Sequence, residues 1–351
     1  MATTNYPVNH PAAVKKWSKE VMVEALKKTS FLQYMSTGSG NIVQIKNDLK
    51  SEGDRIRCFL RMQLTGGGIK GDGTLEGNEE SLTIYNDDVL IDQLRHAVRT
   101  GGKMSEQRIG WETRNEARDG LSDWWADRFD SWFFNQICSN TDQSDVRYTG
   151  MQATTASDSD HVIMCDDRTA THAATASLTA SDVMSLTMID FAVEKAKTLT
   201  PALRPVRVNN DNYFVLFLHP FQIKSLRTNT DTGQWLDIQK EAQTRGRENP
   251  IFSGSNGVYN GTIIQENTRV PTGPLTGGST TTRRAAFCGA QAAAIAFGQG
   301  DGPNRMSWTE ELFDYENQLG VAAGCIGGLK KTVYNSLDYA TIQIITAASA
   351  G

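Results

Sequence analysis

The feature that most constrains the fold is a run of alternating side chains followed directly by a glycine-rich stretch. From residue 56 to residue 64, apolar residues occupy every second position, with mainly arginine and glutamine between them. This period of two is typical of a half-buried strand. Six of the twelve residues from Gly66 to Gly77 are glycine, and β-like runs follow at Leu82 to Tyr85 and Val89 to Ile91. The pattern predicts a long two-stranded ribbon with a flexible tip. Because such a ribbon is marginally stable in water, it should lie on its own body or on a neighbouring subunit.

A second constraint is the helical period that follows the ribbon. From Met104 to Cys138 apolar residues recur at three- and four-residue steps, and such a helix would be roughly 50 Å long. Charged residues such as Arg128 and Asp130 are expected on the opposite face. The apolar stripe, which we interpret as packed core and not as an aromatic binding platform, consists of Leu121, Trp124, Trp125, Phe129, Trp132, Phe133 and Ile137.

The rest of the chain mixes helical and strand patterns, so the predicted fold class is α+β, without a detectable internal repeat. Predicted helices cover about Pro11 to Met35, Thr179 to Pro201 (with Asp182 as capping partner of Thr179) and Gln234 to Thr244. Predicted strands cover Tyr213 to Leu218, Thr262 to Gln265 and Ala286 to Phe297, and a closing hairpin turns around Asn335 and Ser336. Residues 140 to 180 are polar and predict an extended surface loop.

Composition argues against several functional classes. The net charge is −5, whereas proteins that grip nucleic acid through phosphates usually carry a basic excess. The five cysteines are scattered and never spaced as CxxC, which argues against a disulfide framework or zinc knuckle and favours a reducing cytoplasm. Neither a signal pattern nor an apolar run of about 18 residues is present, so we expect no membrane association.

Motifs that carry chemistry are also absent from the sequence, and we expect neither an enzyme, a metal site nor a cofactor. HExxH, GxSxG and a phosphate loop do not occur, and the five histidines lie far apart. Residues 66 to 71 do satisfy GxGxxG, but a dinucleotide loop must open into a helix, whereas here a second strand follows. The acidic residues between Asp142 and Asp167 lack calcium-loop spacing.

The order of these elements resembles the HK97-type capsid fold of tailed bacteriophages, with an N-terminal arm, an extended β-hairpin loop, a long spine helix, and peripheral and axial domains. Several short sequence segments resemble those of the major capsid proteins of Enquatrovirus-type (N-four-like) podoviruses. The segments that carry this likeness are Gly53-Asp54, residues 65 to 72 and 75 to 80, Ile91-Asp92, residues 95 to 98 and 104 to 108, residues 249 to 252 and 259 to 261, residues 328 to 331, and Asp338-Tyr339.

The resemblance implies a division of the chain and a function. Its parts would be an N-terminal arm (1–47), an extended loop or E-loop (48–103), a peripheral domain with the spine helix 104–138 and the surface loop (104–204), an axial domain (205–300), and a return to the peripheral domain (301–351). The function would be self-assembly, as pentamers and hexamers, into an icosahedral head enclosing double-stranded DNA. Implied partners are other copies of the chain, a scaffolding protein, a portal and decoration proteins, with DNA held only non-specifically.

The extended loop is the predicted inter-subunit interface. Its alternating face would be buried on a neighbour, and its glycines Gly66, Gly68 and Gly71 would let it bend differently in pentamers and hexamers. Charges that would set the register are Arg55, Arg57 and Arg61 near the base and Glu76, Glu79, Glu80, Asp87 and Asp88 in the acidic part. The expected location is the virion capsid, after synthesis and assembly in the host bacterial cytoplasm. Two alternatives stay open, a minor structural or decoration protein and an enzyme with an unrecognised site.

Overall fold

The chain folds as a mixed α+β protein, as predicted. The computed structural model describes residues 24–25, 29–46, 53–109, 112–164, 178–208, 211–229, 257–273, 280–298 and 306–348. The α-helices that lie wholly within these residues are α1 (Lys103–Arg108), α2 (Thr113–Ile137), α3 (Leu186–Thr198) and α4 (Pro220–Thr228). The strands are β1 (Met35–Ser36), β2 (Val43–Lys46), β3 (Arg55–Arg61), β4 (Ile84–Leu90), β5 (Asp92–Arg99), β6 (Val162–Met164), β7 (Val206–Val208), β8 (Asp211–Leu218), β9 (Gly257–Tyr259), β10 (Thr262–Glu266), β11 (Thr282–Cys288), β12 (Ala293–Phe297), β13 (Ser307–Phe313), β14 (Gln318–Lys331), β15 (Val333–Tyr334), β16 (Leu337–Asp338) and β17 (Thr341–Ala347).

One sheet of six strands is built around β14. Its order is β1-β2-β12-β14-β13, and β5 pairs with the other edge of β14. The long strand can be approached closely because it is rich in glycine. A Cβ atom on Gly328 would lie 2.0 Å from the Leu90 carbonyl oxygen, so a larger residue there would push the ribbon base away from the sheet.

A second sheet of seven strands has the order β6-β17-β11-β8-β10-β9, with β7 paired to β8. Its central strand β8 is buried on both faces, as its continuous apolar run predicted. Phe214, Leu216 and Leu218 belong to a cluster that includes α3 and α4, whereas Val215 and Phe217 belong to the core around α2. Strand β8 therefore separates two hydrophobic cores.

Helix α2 is the spine of the molecule and packs between the two sheets. Its 25 residues correspond to about 37 Å. The single helix predicted from Met104 to Cys138 is wrong, because Ile109 has extended backbone angles (φ −108°, ψ 144°) and ends α1. Glu112 is also extended and precedes α2. A periodic apolar pattern does not reveal such an interruption, although Gly110 was a local sign of it.

Other boundaries predicted from sequence also need correction. The segment from 140 to 180 is not one extended surface loop, since His161 is buried and β6 pairs in parallel with β17. Thr179 and Asp182 do hydrogen-bond, with the Thr179 backbone N–H donating to Asp182 Oδ2 at 2.6 Å, but α3 begins only at Leu186. Asp182 therefore closes a turn and does not cap the helix.

Two further corrections concern strand breaks and the N-terminal segment. The predicted strand from Ala286 to Phe297 is two strands, β11 and β12, which belong to different sheets. The predicted N-terminal helix does not extend to Met35, because a 3-10 turn at Leu32–Tyr34 leads into β1. Most of that predicted helix, and the one predicted at 234–244, lie outside the described residues.

The predicted closing hairpin exists but is small. Strands β15 and β16 pair around Asn335 and Ser336, both with positive φ (53° and 63°), the conformation of a tight hairpin turn. The hairpin connects β14 of the first sheet to β17 of the second. In the described part of the chain, no helix is long and apolar enough to cross a membrane.

Candidate inter-subunit interface

The predicted two-stranded ribbon is confirmed and has a defined register. Strands β3 and β4 pair antiparallel, from Arg55 opposite Leu90 to Arg61 opposite Ile84. One more backbone hydrogen bond, from Met62 N–H to Thr83 O at 3.0 Å, extends the pairing. Residues 63 to 82 carry no regular secondary structure and form the loop at the end of the ribbon.

The inward face of the ribbon base is buried on the chain's own body. Ile56 and Val89 are 5% and 1% exposed and cluster with Ile91, Ala294 and Ala296. Of the two covers expected for the alternating face, its own body or a neighbouring subunit, the base uses the first, so its burial on a neighbour is contradicted. Periodicity shows that a face is apolar, but it does not show which surface covers it.

Asp87 anchors the ribbon to the body. It is 8% exposed, forms an ion pair with Lys330 Nζ, and accepts a hydrogen bond from the Val333 backbone N–H at 3.1 Å. The pairing of Asp87 with a neighbouring subunit, proposed from the acidic pattern, is consequently contradicted. A buried carboxylate must be paired and hydrogen-bonded, and here both partners lie in the same chain.

Arg57 and Asp88 pair with each other across the ribbon. Arg57 Nε and Nη2 donate to the two carboxylate oxygens of Asp88 at 2.7 and 2.9 Å. The hydrogen bond from Arg57 lowers the pKa of Asp88. The pair lies on the outer face, since the Arg57 side chain is 56% exposed. This pair fixes the register of the two strands within one ribbon. From sequence, both residues were expected to set the register between subunits instead.

Glu80 closes the base of the loop. Its carboxylate accepts hydrogen bonds from the backbone N–H groups of Thr65 at 2.8 Å and Gly66 at 2.7 Å, and these bonds lower its pKa. A Cβ atom on Gly66 would lie 2.8 Å from Glu80 Oε2, so glycine leaves room for this contact. Glu79 accepts a bond from the Gly77 N–H at 2.8 Å. Both glutamates are thus used inside the loop.

The remaining loop residues of the predicted interface are exposed. Gly68 and Gly71 have φ of 68° and 66°, which favours glycine at both positions. Arg61 and Glu76 are exposed, and Arg55 lies 3.8 Å from Asp54 in a solvent-facing ion pair. Contact of these residues with a neighbouring subunit stays a prediction.

Seven large apolar side chains of the described residues are more than half exposed, and five of them lie on the loop and the outer face of the ribbon; the other two are Tyr315 and Met104. Phe59 is 69% exposed although the alternation pattern placed it among polar neighbours. The sequence feature that could have revealed this exposed apolar surface is a set of six large apolar residues within a segment of polar and glycine residues. These residues and their exposed fractions are Phe59 (69%), Leu64 (53%), Ile69 (40%), Leu75 (62%), Leu82 (59%) and Ile84 (57%).

The core predicted for the spine helix is confirmed with one qualification. Six of the seven predicted side chains are at most 1% exposed, namely Leu121, Trp125, Phe129, Trp132, Phe133 and Ile137. Trp124 is only partly buried, and its ring stacks on His96 with centroids 4.4 Å apart.

Two charged residues of the spine helix are buried, against prediction. The Arg128 guanidinium lies 4.8 Å from the Trp124 ring and 3.9 Å from the Tyr148 ring. Asp130 accepts hydrogen bonds from the backbone and side chain of Ser30, both at 3.0 Å. These partners lie up to 100 positions away in sequence, so the helical pattern could not identify them.

Among the described residues, several groups capable of chemistry are buried or already hydrogen-bonded. In the described ranges, no three His, Cys, Asp or Glu side chains are arranged to hold a metal ion. Burial raises the pKa of both the Cys138 and the Cys288 thiols, which keeps them protonated and unreactive. His219 serves as a helix cap, its Nδ1 accepting from the Phe221 N–H at 3.2 Å.

Comparison with known proteins identifies the family. The family model described as phage capsid protein matches residues 5–350, almost the whole chain. This chain belongs to the phage capsid protein family. The major capsid protein of Pseudomonas phage KPP25 is 27% identical over 369 residues, covering 95% of this chain and 94% of that protein. The narrower likeness to Enquatrovirus-type proteins stays a prediction.

Solved structures confirm the HK97-type capsid fold. The capsid protein of Ralstonia phage GP4 has a TM-score of 0.78 and 34% identity, covering 99% of both chains. The capsid protein of cyanophage Pam1 has a TM-score of 0.76 and 21% identity, with 93% of this chain and 94% of that chain covered. The extended ribbon and the spine helix are therefore parts of a capsid subunit.

Proposed function

We propose that this phage capsid protein is the major capsid protein, which self-assembles as pentamers and hexamers into an icosahedral head enclosing double-stranded DNA. Full-length similarity to phage capsid proteins supports the assignment. The observation that carries the assembly mechanism is the set of exposed apolar side chains on the outer ribbon and its loop, because a folded body with two closed cores leaves them uncovered.

The ribbon can act as an arm because its base is buried on its own subunit, whereas its end is exposed. Ile56, Val89 and Asp87 hold the base on the subunit's own sheet. The end carries side chains such as Leu75 and Leu82, about three-fifths exposed. Complete burial of a leucine side chain stabilises a contact by about 1.5–3 kcal/mol, whereas exposed ion pairs contribute about 0.2–1 kcal/mol. Apolar contact therefore supplies most of the strength, and charges adjust the register.

The two sheets support a division into capsid domains. The six-stranded sheet with spine helix α2 would form the peripheral domain. The seven-stranded sheet with α3 and α4 would form the axial domain, which packs around the fivefold and quasi-sixfold axes. This proposal differs from the expected bounds 104–204, 205–300 and 301–351, because β6, α3 and β17 lie with the seven-stranded sheet. The chain crosses between the two sheets repeatedly, as the β15–β16 hairpin does between β14 and β17.

The proposed function also implies where the subunit resides and which proteins it contacts. The subunit would reside in the virion capsid after assembly in the host bacterial cytoplasm, with a scaffolding protein, a portal and decoration proteins as partners. A net charge of −5 supports non-specific enclosure of DNA over tight binding, since phosphate contacts require lysine and arginine. The role is structural and not enzymatic.

Deletion of Gly66–Gly77 tests the mechanism. The shortened chain should yield folded, soluble subunits that form no shells, because the loop that reaches the neighbour is gone. As a matched control, Thr74→Ser and Asn78→Ser alter exposed polar residues of the same loop and should leave assembly intact. Electron microscopy and light scattering of the purified proteins separate particles from subunits. Normal particles from the deletion would contradict the proposal.

A further inference from the structure

The ribbon contacts its own subunit in two different ways along its length. We divide it into the base, residues 54–58 and 87–91, and the outer half, residues 59–62 and 83–86. The base is joined to the body by an ion pair, by hydrogen bonds and by an apolar cluster. Among the described residues, no hydrogen bond or ion pair joins the outer half to the body. The outer half is therefore held much less firmly than the base.

The tethers of the base reach the six-stranded sheet. Asp87 and the apolar cluster around Ile56 provide two of them, as described above. A third begins at Leu90, whose backbone N–H donates to Gln152 Oε1 at 3.2 Å. Gln152 Nε2 donates in turn to the Leu329 carbonyl oxygen of β14 at 2.8 Å. Polar and apolar contacts thus fix the base from several sides, and a closely packed contact of this kind yields little.

The outer half faces the β15–β16 hairpin across two cavities. Its inward side chains, Leu60, Met62 and Tyr85, are half-buried. Cavities of about 110 and about 310 Å³ lie along this contact, and Leu60, Tyr334 and Tyr339 line both of them. Protein interiors are normally packed as closely as organic crystals, so two cavities in one contact mean that the outer half rests loosely on the hairpin.

The hairpin on the far side of the cavities is firmly held. Lys331 and Asp338 form an ion pair at 2.7 Å, with both side chains at most 2% exposed. The Asp338 backbone N–H donates to Asp158 Oδ2 at 2.8 Å. The Tyr334 and Tyr339 rings pack edge to face with centroids 5.4 Å apart. A change in the width of the cavities must therefore come from the ribbon.

We propose that the ribbon rotates about its base as one unit, and that the β15–β16 hairpin is the stop that limits this rotation. The backbone ladder between β3 and β4 is continuous from Arg55 to Arg61, so the two strands move together. Rotation towards the hairpin narrows the two cavities and rotation away from it widens them, while the tethers of the base stay in place. Hinges of this kind require backbone changes at only a few residues.

This inference rests on the proposed function and adds a mechanism to it. Identical chains in pentamers and hexamers must meet their neighbours at different angles. Rotation at the base carries the whole loop, residues 63–82, to each angle without breaking the hydrogen bonds inside the loop, such as those of Glu80. Bending at Gly66, Gly68 and Gly71, which the sequence indicated, moves only the part of the loop beyond them.

A covalent staple across the smaller cavity tests the rotation. The variant Tyr85→Cys/Leu337→Cys places one thiol on the ribbon and one on the hairpin, both at the cavity of about 110 Å³. A bismaleimide joins the two thiols without the strict geometry of a disulfide. All variants carry Cys58→Ser, which removes the one partly exposed thiol among the described cysteines. The stapled subunits should form no closed shells, whereas the same protein without reagent should form them.

The matched control places the staple at the base, where the ribbon does not move. Leu90→Cys/Gln152→Cys joins two half-buried residues that already contact each other, and its stapled subunits should assemble normally. In wild-type shells, electron cryo-microscopy should show a Tyr85–Leu337 separation that differs between pentamer and hexamer subunits, and a Leu90–Gln152 separation that does not.

The results of these experiments separate the rotation from the proposed function. Closed shells of normal size from the stapled outer half, or equal Tyr85–Leu337 separations in all subunits, would overturn the rotation and leave the proposed function standing. Loss of shells from both staples would overturn it as well, because the staple at the base restrains no rotation. If the unstapled and wild-type chains form no particles, the proposed function fails and the rotation loses its role with it.

Discussion

Replacement of Lys331 by methionine tests how strongly one buried ion pair holds the β15–β16 hairpin to the six-stranded sheet. Lys331 ends β14 of the six-stranded sheet, and its Nζ lies 2.7 Å from Asp338 Oδ1 on β16 and 2.6 Å from Ser139 Oγ at the end of α2. The two charged side chains are 0% and 2% exposed. Burial lowers the pKa of Lys331 and raises the pKa of Asp338, so each charge depends on the other.

The expected loss in the free energy of unfolding follows from leaving the Asp338 carboxylate without its partner. Removing one partner of a buried pair costs about 3–5 kcal/mol, because the remaining carboxylate stays desolvated without compensation. That is roughly a hundred-fold to several-thousand-fold in the ratio of folded to unfolded subunits. Replacing both partners, with Lys331→Met and Asp338→Leu, should recover most of the loss, since an apolar pair carries no desolvation penalty.

Urea unfolding of unassembled subunits, followed by tryptophan fluorescence, measures the free energies of unfolding. The fluorescence reports on the core because Trp125 and Trp132 are fully buried. The control Lys197→Met removes an exposed lysine from the end of α3 and should leave stability unchanged. If Lys331→Met lies within about 1 kcal/mol of the wild type, or if the double variant is no more stable than the single one, the reasoning is wrong.

Two further predictions concern the core and the response to pH. Trp125→Ala should destabilise the subunit by about 3–5 kcal/mol, and the partly buried Trp124→Ala by clearly less, in the same urea assay; equal losses would contradict the assigned burial. Burial lowers the pKa of His219 to about 4, from an ordinary value near 6.5. The neutral cap therefore stabilises the fold fully above about pH 6.5 and loses this contribution as the pH falls towards 4. His219→Asn keeps a cap but cannot titrate, so its melting temperature should fall less over that range, and an unchanged slope would refute the role.

Local periodicity was sufficient for the ribbon and for most of the spine helix. Strand β3 lies within the alternating segment, and the apolar stripe of α2 is the core. Both patterns act over a few residues, where side-chain direction follows directly from backbone geometry. The break at Ile109 lies before the apolar stripe, which begins at Leu121, so the stripe carried no information about it.

The candidate interface shows where local patterns fail. The acidic residues of the ribbon look alike in sequence, yet Asp87 binds Lys330, 243 positions away, and Glu80 caps the loop base. The alternation did place Phe59 correctly on the outward face, where it is the most exposed apolar side chain of the ribbon. Whether a charged side chain is already paired within its own subunit therefore depends on residues that are distant in sequence.

Periodicity, turn residues and short sequence motifs were enough to predict most of the main elements, their order and the likeness to capsid proteins. The folded chain was needed to show that β12 and β17 join different sheets, that the ribbon base rests on its own body, and that its outer face and loop stay uncovered. The physical reason is that coverage is a property of surfaces brought together from distant positions. An apolar side chain has the same local pattern whether its own chain or a neighbouring copy buries it.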